Sequence, residues 1–290
     1  LGLLRGLGAM TVKIIDGNNW IRVKMEESLG GASIANLWYE TVTDTTSRQI
    51  FVFDGYNSRA KRRAIYPEYK AKRKPADQSF FDGLNFFKEL LIDAPRTVNM
   101  IEIPEYEADD VIANLAVFYS EMSQIPGTRP TDINGDVVII STDKDLTQLR
   151  VLPNVTTLAE PKVDPKWVLL YKMFVGDSSD NIKGVAGFGD VSWEKTSRYW
   201  KDYMSVLFWN LWEADNNSDG DSDWTEQVVA ACADEGMSDK MLDKIWNTDF
   251  KMLYRLISFY KIPQREITKN MRRGSGDTNL ATDKLNQFDL

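Results

Sequence analysis

The stretch Ile50-Phe51-Val52-Phe53-Asp54-Gly55 decides how this chain is to be read. Consecutive β-branched and aromatic residues mark a strand buried on both faces, and the carboxylate and glycine that follow mark its end. The same syntax recurs along the first half. Lys13-Ile14-Ile15 stops at Asp16-Gly17, residues 97–103 run into Pro104 and Glu107, and Val137-Val138-Ile139-Ile140 leads through Ser141 and Thr142 to Asp143. A fifth candidate covers residues 155–158. Helical patterns over residues 34–43, 78–92 and 108–121 lie between these runs. Short buried strands separated by helices predict parallel βαβ units, hence an α/β fold with a central, mostly parallel sheet flanked by helices. Ligands bind such sheets beyond the carboxyl ends of the strands, where the acids stand.

Nine carboxylates carry the chemical argument: Asp16, Asp54, Glu107, Asp109, Asp110, Asp143, Asp145, Asp177 and Asp180. Two carboxylates about 5 Å apart repel by roughly 3 kcal/mol at an effective dielectric of about 20, so a cluster implies bound cations. The chain has no histidine and one cysteine, which leaves oxygen ligands and favours Mg²⁺ or Mn²⁺ over zinc. Any single pair has a plainer explanation. Glu107-Ala108-Asp109-Asp110 complements a helix dipole, and Asp143-Lys144-Asp145 or Asp177-Ser178-Ser179-Asp180 would serve as a cap or turn. Acids at four separate strand ends are much harder to attribute to capping.

Composition bounds the rest. With 290 residues and 43 % apolar content the chain can bury a substantial core. A lone Cys232 cannot form an internal disulfide and fits a reducing compartment, here the cytoplasm, or the host cytoplasm if the chain is phage-encoded. No apolar run approaches the ~20 residues that span a bilayer, so no membrane partner is expected. Residues 1–9 read as an appended or alternative start before Met10.

Net charge is −8, yet residues 59–74 carry Arg59, Lys61, Arg62, Arg63, Lys70, Lys72, Arg73 and Lys74 against Glu68 alone. This segment is therefore +7 and the remainder −15. It follows an acid-tipped strand directly and contains Tyr66 and Tyr69, rings able to stack on bases while the cations hold phosphates. Downstream, Gly176-Asp-Ser-Ser-Asp-Asn-Ile-Lys-Gly-Val-Ala-Gly-Phe-Gly189 joins two of the acids to a glycine-rich turn. Gly184, Gly187 and Gly189 allow a hairpin whose N–H groups face an anion. From about residue 165 the pattern is helical, interrupted by a polar, acidic loop over residues 214–223. Trp193, Trp200, Trp209, Trp212, Trp224 and Trp246 are read as helix packing. The expected organisation is an α/β catalytic domain over residues 10–163 with a basic arch at 56–77, a helical region over 164–269 with its hairpin at 176–195, and a mobile polar tail over 270–290.

Taken together, Phe53-Asp54-Gly55, Tyr69-Lys70-x-x-Arg73, Glu107-Ala-Asp-Asp110, Ser141-Thr-Asp-Lys-Asp145 and Gly176-Asp-Ser-Ser-Asp-Asn-Ile-Lys-Gly184 resemble the 5′-nuclease superfamily of flap endonucleases and 5′→3′ exonucleases. They stand in family order over about residues 12–190 and look most like the stand-alone bacteriophage exonucleases. The resemblance implies a PIN-like sheet, a helical arch, and a helix–hairpin–helix that grips duplex backbone, often around K⁺. Carried over, Asp16, Asp54, Glu107, Asp109, Asp110, Asp143 and Asp145 would be the inner metal ligands, with Asp177 and Asp180 completing a second position. Asp54, Asp110, Lys70 and Arg73 would be catalytic, the two cations contacting the scissile phosphate and Tyr69 stacking on the terminal nucleotide. Arg59, Lys61, Arg62, Arg63, Tyr66, Lys72, Lys74 and the glycines would bind DNA. Two departures are visible: Asp190-Val191-Ser192-Trp193 replaces the Lys-containing helix start after the hairpin, and the arch is short.

The implied activity is two-metal hydrolysis of DNA phosphodiesters at 5′ ends of duplexes or flaps, and of RNA paired to DNA, by a monomer in phage DNA replication or recombination. A PIN-like ribonuclease is the competing enzyme, although such domains are usually far shorter and lack the hairpin. A DNA-binding module that has lost catalysis is the competing binder.

Overall fold

The computed structural model describes residues 10–27, 34–122, 136–217 and 224–287. The appended start expected at residues 1–9 and the centre of the acidic loop, residues 218–223, lie outside them. In chain order the elements are β1 (Thr11–Asp16), α1 (Gly17–Glu27), α2 (Ile34–Thr43), β2 (Ser47–Phe53), α3 (Ala60–Ile65), α4 (Gln78–Ile92), β3 (Val98–Glu102), α5 (Ala108–Met122) and β4 (Val137–Ile140). A 3₁₀ turn over Lys144–Val151 leads to β5 (Val155–Thr157). Then come α6 (Val168–Val175), β6 (Gly176–Asp177), β7 (Ile182–Lys183), α7 (Asp190–Lys195), α8 (Arg198–Asn217), α9 (Trp224–Asp234), α10 (Asp239–Trp246), α11 (Phe250–Ile257), α12 (Gln264–Asn270), β8 (Met271–Arg273) and α13 (Thr278–Gln287). No described helix is long and apolar enough to cross a membrane.

Two compact units divide the chain, and the first takes the described residues within 1–59, 75–160 and 259–290. Its sheet has the order β5-β4-β1-β2-β3-β8, with every pairing parallel except β3 with β8. Alternate side chains of each strand feed two cores. Ile14, Ile50, Val52 and Ile101 pack with α5, whereas Ile15, Phe51, Phe53, Val98 and Met100 pack with α1, α2, α4 and α13. Burial on both faces is why these strands read as unbroken apolar runs. Because β1 to β4 are parallel, their carboxyl ends share one edge.

The polar tail expected after residue 269 is instead structured. Met271 to Arg273 pairs antiparallel with β3, and α13 buries Ala281 and Leu285, four residues apart on one helical face. The free edge of β3 supplies the hydrogen bonds that a sequence pattern of three polar-flanked residues does not announce.

The second unit takes residues 60–74 and the described part of 161–258. Its core is aromatic: Phe174 lies 5.1 Å from the rings of Phe188, Trp200 and Phe250, and Trp224 stands 5.6 Å from Tyr254. Trp193, Trp200 and Trp224 are buried, as packing requires, while Trp209 and Trp246 are 58 % and 53 % exposed. The acidic stretch expected as a loop from residue 214 is helical through Asn217. The basic segment, expected as an arch of the first domain, folds with this helical core. Its Arg62 is buried and donates from Nε to the carbonyl of Leu256 (3.0 Å) and from a terminal nitrogen to that of Ser258 (3.1 Å). A buried guanidinium needs such acceptors, and they come from more than 190 residues away.

Candidate active site

Asp16, the last residue of β1, is buried at the carboxyl edge of the sheet. One of its carboxylate oxygens accepts the Asn19 N–H (3.1 Å) and the other accepts the Ser141 hydroxyl (2.9 Å). Burial pushes its pKa up to about 7, the neighbouring charges of Asp54 and Asp143 push the same way, and the two hydrogen bonds only partly oppose them. Asp54, directly after β2, accepts the Ala108 N–H at 2.9 Å and so caps α5, where the helix dipole favours an anion. Asp143 accepts the Asp145 N–H at 2.8 Å and starts the 3₁₀ turn. Among the described residues no Lys or Arg nitrogen pairs with Asp16, Asp54 or Asp143.

Glu107 and Asp110 are buried at the start of α5. Asp110 accepts the Glu107 N–H (3.3 Å) on one oxygen and the Tyr260 N–H (2.9 Å) on the other, which fixes the carboxylate plane. Arg59, expected on DNA, has its Nε 4.0 Å from Glu107. Asp109 stands half-buried on the first turn of α5, and Asp145 half-buried on the 3₁₀ turn. The first unit thus gathers carboxylates from four strand ends on one edge.

Sequence reasoning passed over the residues that hold these acids in place. Asn18 Oδ1 accepts the Asp54 N–H (3.2 Å), and the Asn19 amide bonds both the N–H and the hydroxyl of Thr142. The signal was available: an Asn-Asn doublet directly after Asp16-Gly17, with two amides that bond backbone at a strand end.

In the second unit, Asp177 and Asp180 each carry a cation of their own. Lys172 Nζ lies 2.5 Å from Asp177, with both side chains about one-eighth exposed. Burial works to raise the Asp177 pKa, but the Lys172 charge and the Ser179 hydrogen bonds outweigh it and hold the group at about 2. Asp180 is buried and takes Arg73 at 2.5 Å and Lys70 Nζ at 3.7 Å, while its carbonyl accepts the Lys70 N–H at 2.9 Å. Lys70 is itself buried and adopts a left-handed φ of +53°. The two cations expected over a phosphate are thus fixed by an acid expected as a metal ligand.

Two further expectations change. The Tyr69 ring, expected to stack on a nucleotide, is 2 % exposed, lies 4.9 Å beneath Lys70 Nζ and points its hydroxyl at Asp180. It is a core ring and offers no open face. Arg62 is a structural cation for the reason given above. Lys61 and Tyr66 are half-buried, Tyr66 against the helical core, whereas Arg63, Lys72, Arg73 and Lys74 are exposed. Between α6 and α7, β6 and β7 form a short antiparallel pair. Gly184 follows it, and a Cβ there would lie 2.4 Å from the Phe174 carbonyl. Gly187 has φ +79°, while Gly189 is extended. Asp190, at the departure from the family pattern, accepts from Tyr171 and Lys162, which hold its carboxyl below the usual range.

Residues 31–172 match the model of the 5′-3′ exonuclease N-terminal resolvase-like domain. Flap endonuclease Xni of Shewanella pealeana is 29 % identical over 218 residues, covering 67 % of this chain and 78 % of that protein. Its counterpart in Shewanella halifaxensis is 31 % identical over 205 residues, covering 62 % of this chain and 73 % of that protein. Among solved structures, a bacteriophage T5 flap endonuclease in complex with DNA and metal ions aligns with TM-score 0.52 and 19 % identity over 96 % of this chain and all of that one. With the acid-edged parallel sheet, these matches show that the chain belongs to the 5′-nuclease superfamily, the structure-specific flap endonucleases and 5′→3′ exonucleases.

Proposed function

We propose that this chain hydrolyses DNA phosphodiesters at 5′ ends with divalent cations, Mg²⁺ or Mn²⁺, acting on duplex or flap DNA and on RNA paired to DNA. The observation that carries the reading is Asp16: a buried carboxylate beside Asp54 and Asp143, with no described cation paired to any of the three. Such a group is costly in isolation, and an all-oxygen donor set fits a hard dication. Asp16, Asp54, Glu107, Asp109, Asp110, Asp143 and Asp145 are the residues proposed to hold it, with Asp177 and Asp180 proposed for a second position.

Bound dications supply a lowered pKa for the attacking water and charge stabilisation for the leaving oxygen. The chain's own residues do the rest. Asp110, with both oxygens on backbone N–H groups, keeps one orientation. Asn18 and Asn19 fix the spacing of Asp54, Asp16 and the Asp143 loop. Lys70 and Arg73, held by Asp180, are proposed to meet transition-state charge on the phosphate. Replication or recombination of phage DNA, and action as a monomer, belong to the same proposal.

The test uses 5′-labelled duplex DNA, flap DNA and single-stranded RNA, each with Mg²⁺ and with chelator. Metal-dependent release of label from the DNA substrates is the expected result. Cleavage confined to RNA would identify a ribonuclease, and binding without cleavage an inactive module.

A further inference from the structure

Residues 261–273 carry Lys261, Arg265, Lys269, Arg272 and Arg273 against Glu266 alone, in a chain of net charge −8. All five cations are exposed. The segment begins beside the acid edge, where Tyr260 N–H bonds Asp110 and Ile262 N–H bonds Asn114. It continues through α12 into the edge strand β8, where Met271 pairs with Ile101 and Arg273 with Asn99. Arg273 Nε then donates to the Arg96 carbonyl (2.7 Å), and Arg96 Nε to that of Ser275 (3.4 Å). The Arg96 side chain passes over Gly276, with Cγ 3.5 Å from where a Cβ would stand. At the far end of the track Arg273 is thereby tied to the backbone of Arg96, and Arg96 to that of Ser275.

Three of the nearby acids have ion pairs of their own, and Asp277 accepts the Leu280 N–H at 3.2 Å. Asp93 takes Lys284 at 2.6 Å, Glu102 takes Lys88, and Glu266 faces Arg265 at 3.9 Å. Among the described residues no carboxylate pairs with Arg96, Lys261, Lys269, Arg272 or Arg273. Edge strands often carry charge to block pairing with other sheets, and that would account for β8. It does not account for Lys269 on α12 or for Arg96 before β3.

We infer that Lys261, Lys269, Arg272, Arg273 and Arg96 form a second phosphate-binding track that follows the β3–β8 edge away from the carboxylates and holds the backbone of a DNA duplex. From Glu102 to Arg96 the track covers about 20 Å at roughly 3.3 Å per residue. That corresponds to about six base pairs at about 3.4 Å each. The inference rests on the nuclease reading for the identity of its polyanion.

The experiment measures binding of labelled DNA in chelator, with duplex lengths of 6 and 20 base pairs, between 50 and 200 mM salt. Lys269 and Arg272 make no described side-chain hydrogen bond, so the Lys269→Gln/Arg272→Gln pair leaves the fold's contacts in place. On the long duplex this variant should lower the slope of log affinity against log salt by about 0.9 for each cation removed, and weaken binding roughly tenfold. The short duplex is as long as the track itself, so the same change of slope is expected on it, and Lys269→Arg/Arg272→Lys should restore the wild-type slope. An unchanged slope on either duplex, or a slope that the charge-conserving pair fails to restore, overturns the track. So does displacement of the long duplex by inorganic phosphate or polyglutamate as effectively as by unlabelled DNA, which would make the ligand a small anion or any acidic polymer. Metal-dependent cleavage of the short duplex by the wild-type protein is scored separately, so failure of the nuclease reading is distinguishable from failure of the track.

Discussion

Asn19 and Thr142 join the loops after β1 and β4: the Asn19 amide donates to Thr142 Oγ1 at 2.9 Å, and Asn19 Oδ1 accepts the Thr142 N–H at 2.9 Å. Asn19 also donates its own N–H to Asp16. One side chain therefore sets the separation of two carboxylate-bearing loops without carrying a charge. Asn19→Ala is expected to lower kcat about 10- to 100-fold with KM little changed, the pattern of a lost positioning contact. Steady-state kinetics on flap DNA checks this, and a loss carried mainly by KM would make Asn19 a substrate contact instead.

Asp16 couples the site to pH. Its pKa is raised from 3.8 to about 7 in the fold, so the native state holds a proton that the unfolded chain releases. Stability of the metal-free protein should therefore fall as pH rises from about 4 to about 7 and then level off. Each pKa unit is about 1.4 kcal/mol, so the loss should be easily measured. Calorimetric melting in chelator is expected to show this slope for the wild-type protein and a flatter profile for Asp16→Asn, with the variant melting higher at pH 8. A variant that melts lower at pH 8 would show that the carboxylate is not under strain.

The Asp177–Lys172 pair has the opposite sign. A carboxyl held at about 2 contributes stability above its ordinary value of 3.8, and that contribution disappears as pH falls through about 2. Lys172→Met leaves the mostly buried Asp177 without its cation and should cost about 3 kcal/mol in urea denaturation at pH 7. Adding Asp177→Asn should recover much of that loss. A single variant as stable as wild type would mean that solvent reaches the pair.

Gly55 sits where two site loops touch. Its N–H donates to the Tyr106 carbonyl at 3.1 Å, and a Cβ would fall 1.8 Å from the Ile103 carbonyl oxygen. Gly55→Ala must push apart the backbones that carry Asp54 and Glu107. We expect a destabilisation of at least about 2 kcal/mol together with loss of turnover. Thermal melting and a flap assay read both, and a variant normal in each would show that the two loops are free to separate.

Much of the sheet was legible because its signal is local. Helices over Ile34–Thr43 and Gln78–Ile92 fall where the periodicity puts them, and the strands differ from expectation by up to three residues at their ends, most at β2, which begins at Ser47. The acids at strand ends were legible too, since a parallel topology leaves those ends on one edge. Tyr69, Arg62 and β8 were not. Each depends on a partner distant in sequence, and the local patterns resemble an exposed arm and a polar tail.

The amino-acid sequence by itself determined the alternation of apolar runs and helices, the family motifs, and an all-oxygen ligand chemistry in a chain without histidine. Those follow from residue type and spacing alone. Only the tertiary structure decided which charges are free to act. It buried Arg62 against carbonyls of residues 256 and 258, matched Asp177 and Asp180 with lysine and arginine, and left Asp16, Asp54 and Asp143 without a described cation. The physical reason is desolvation: the cost of a charge depends on what the folded chain places around it, and that environment is assembled from segments far apart in sequence.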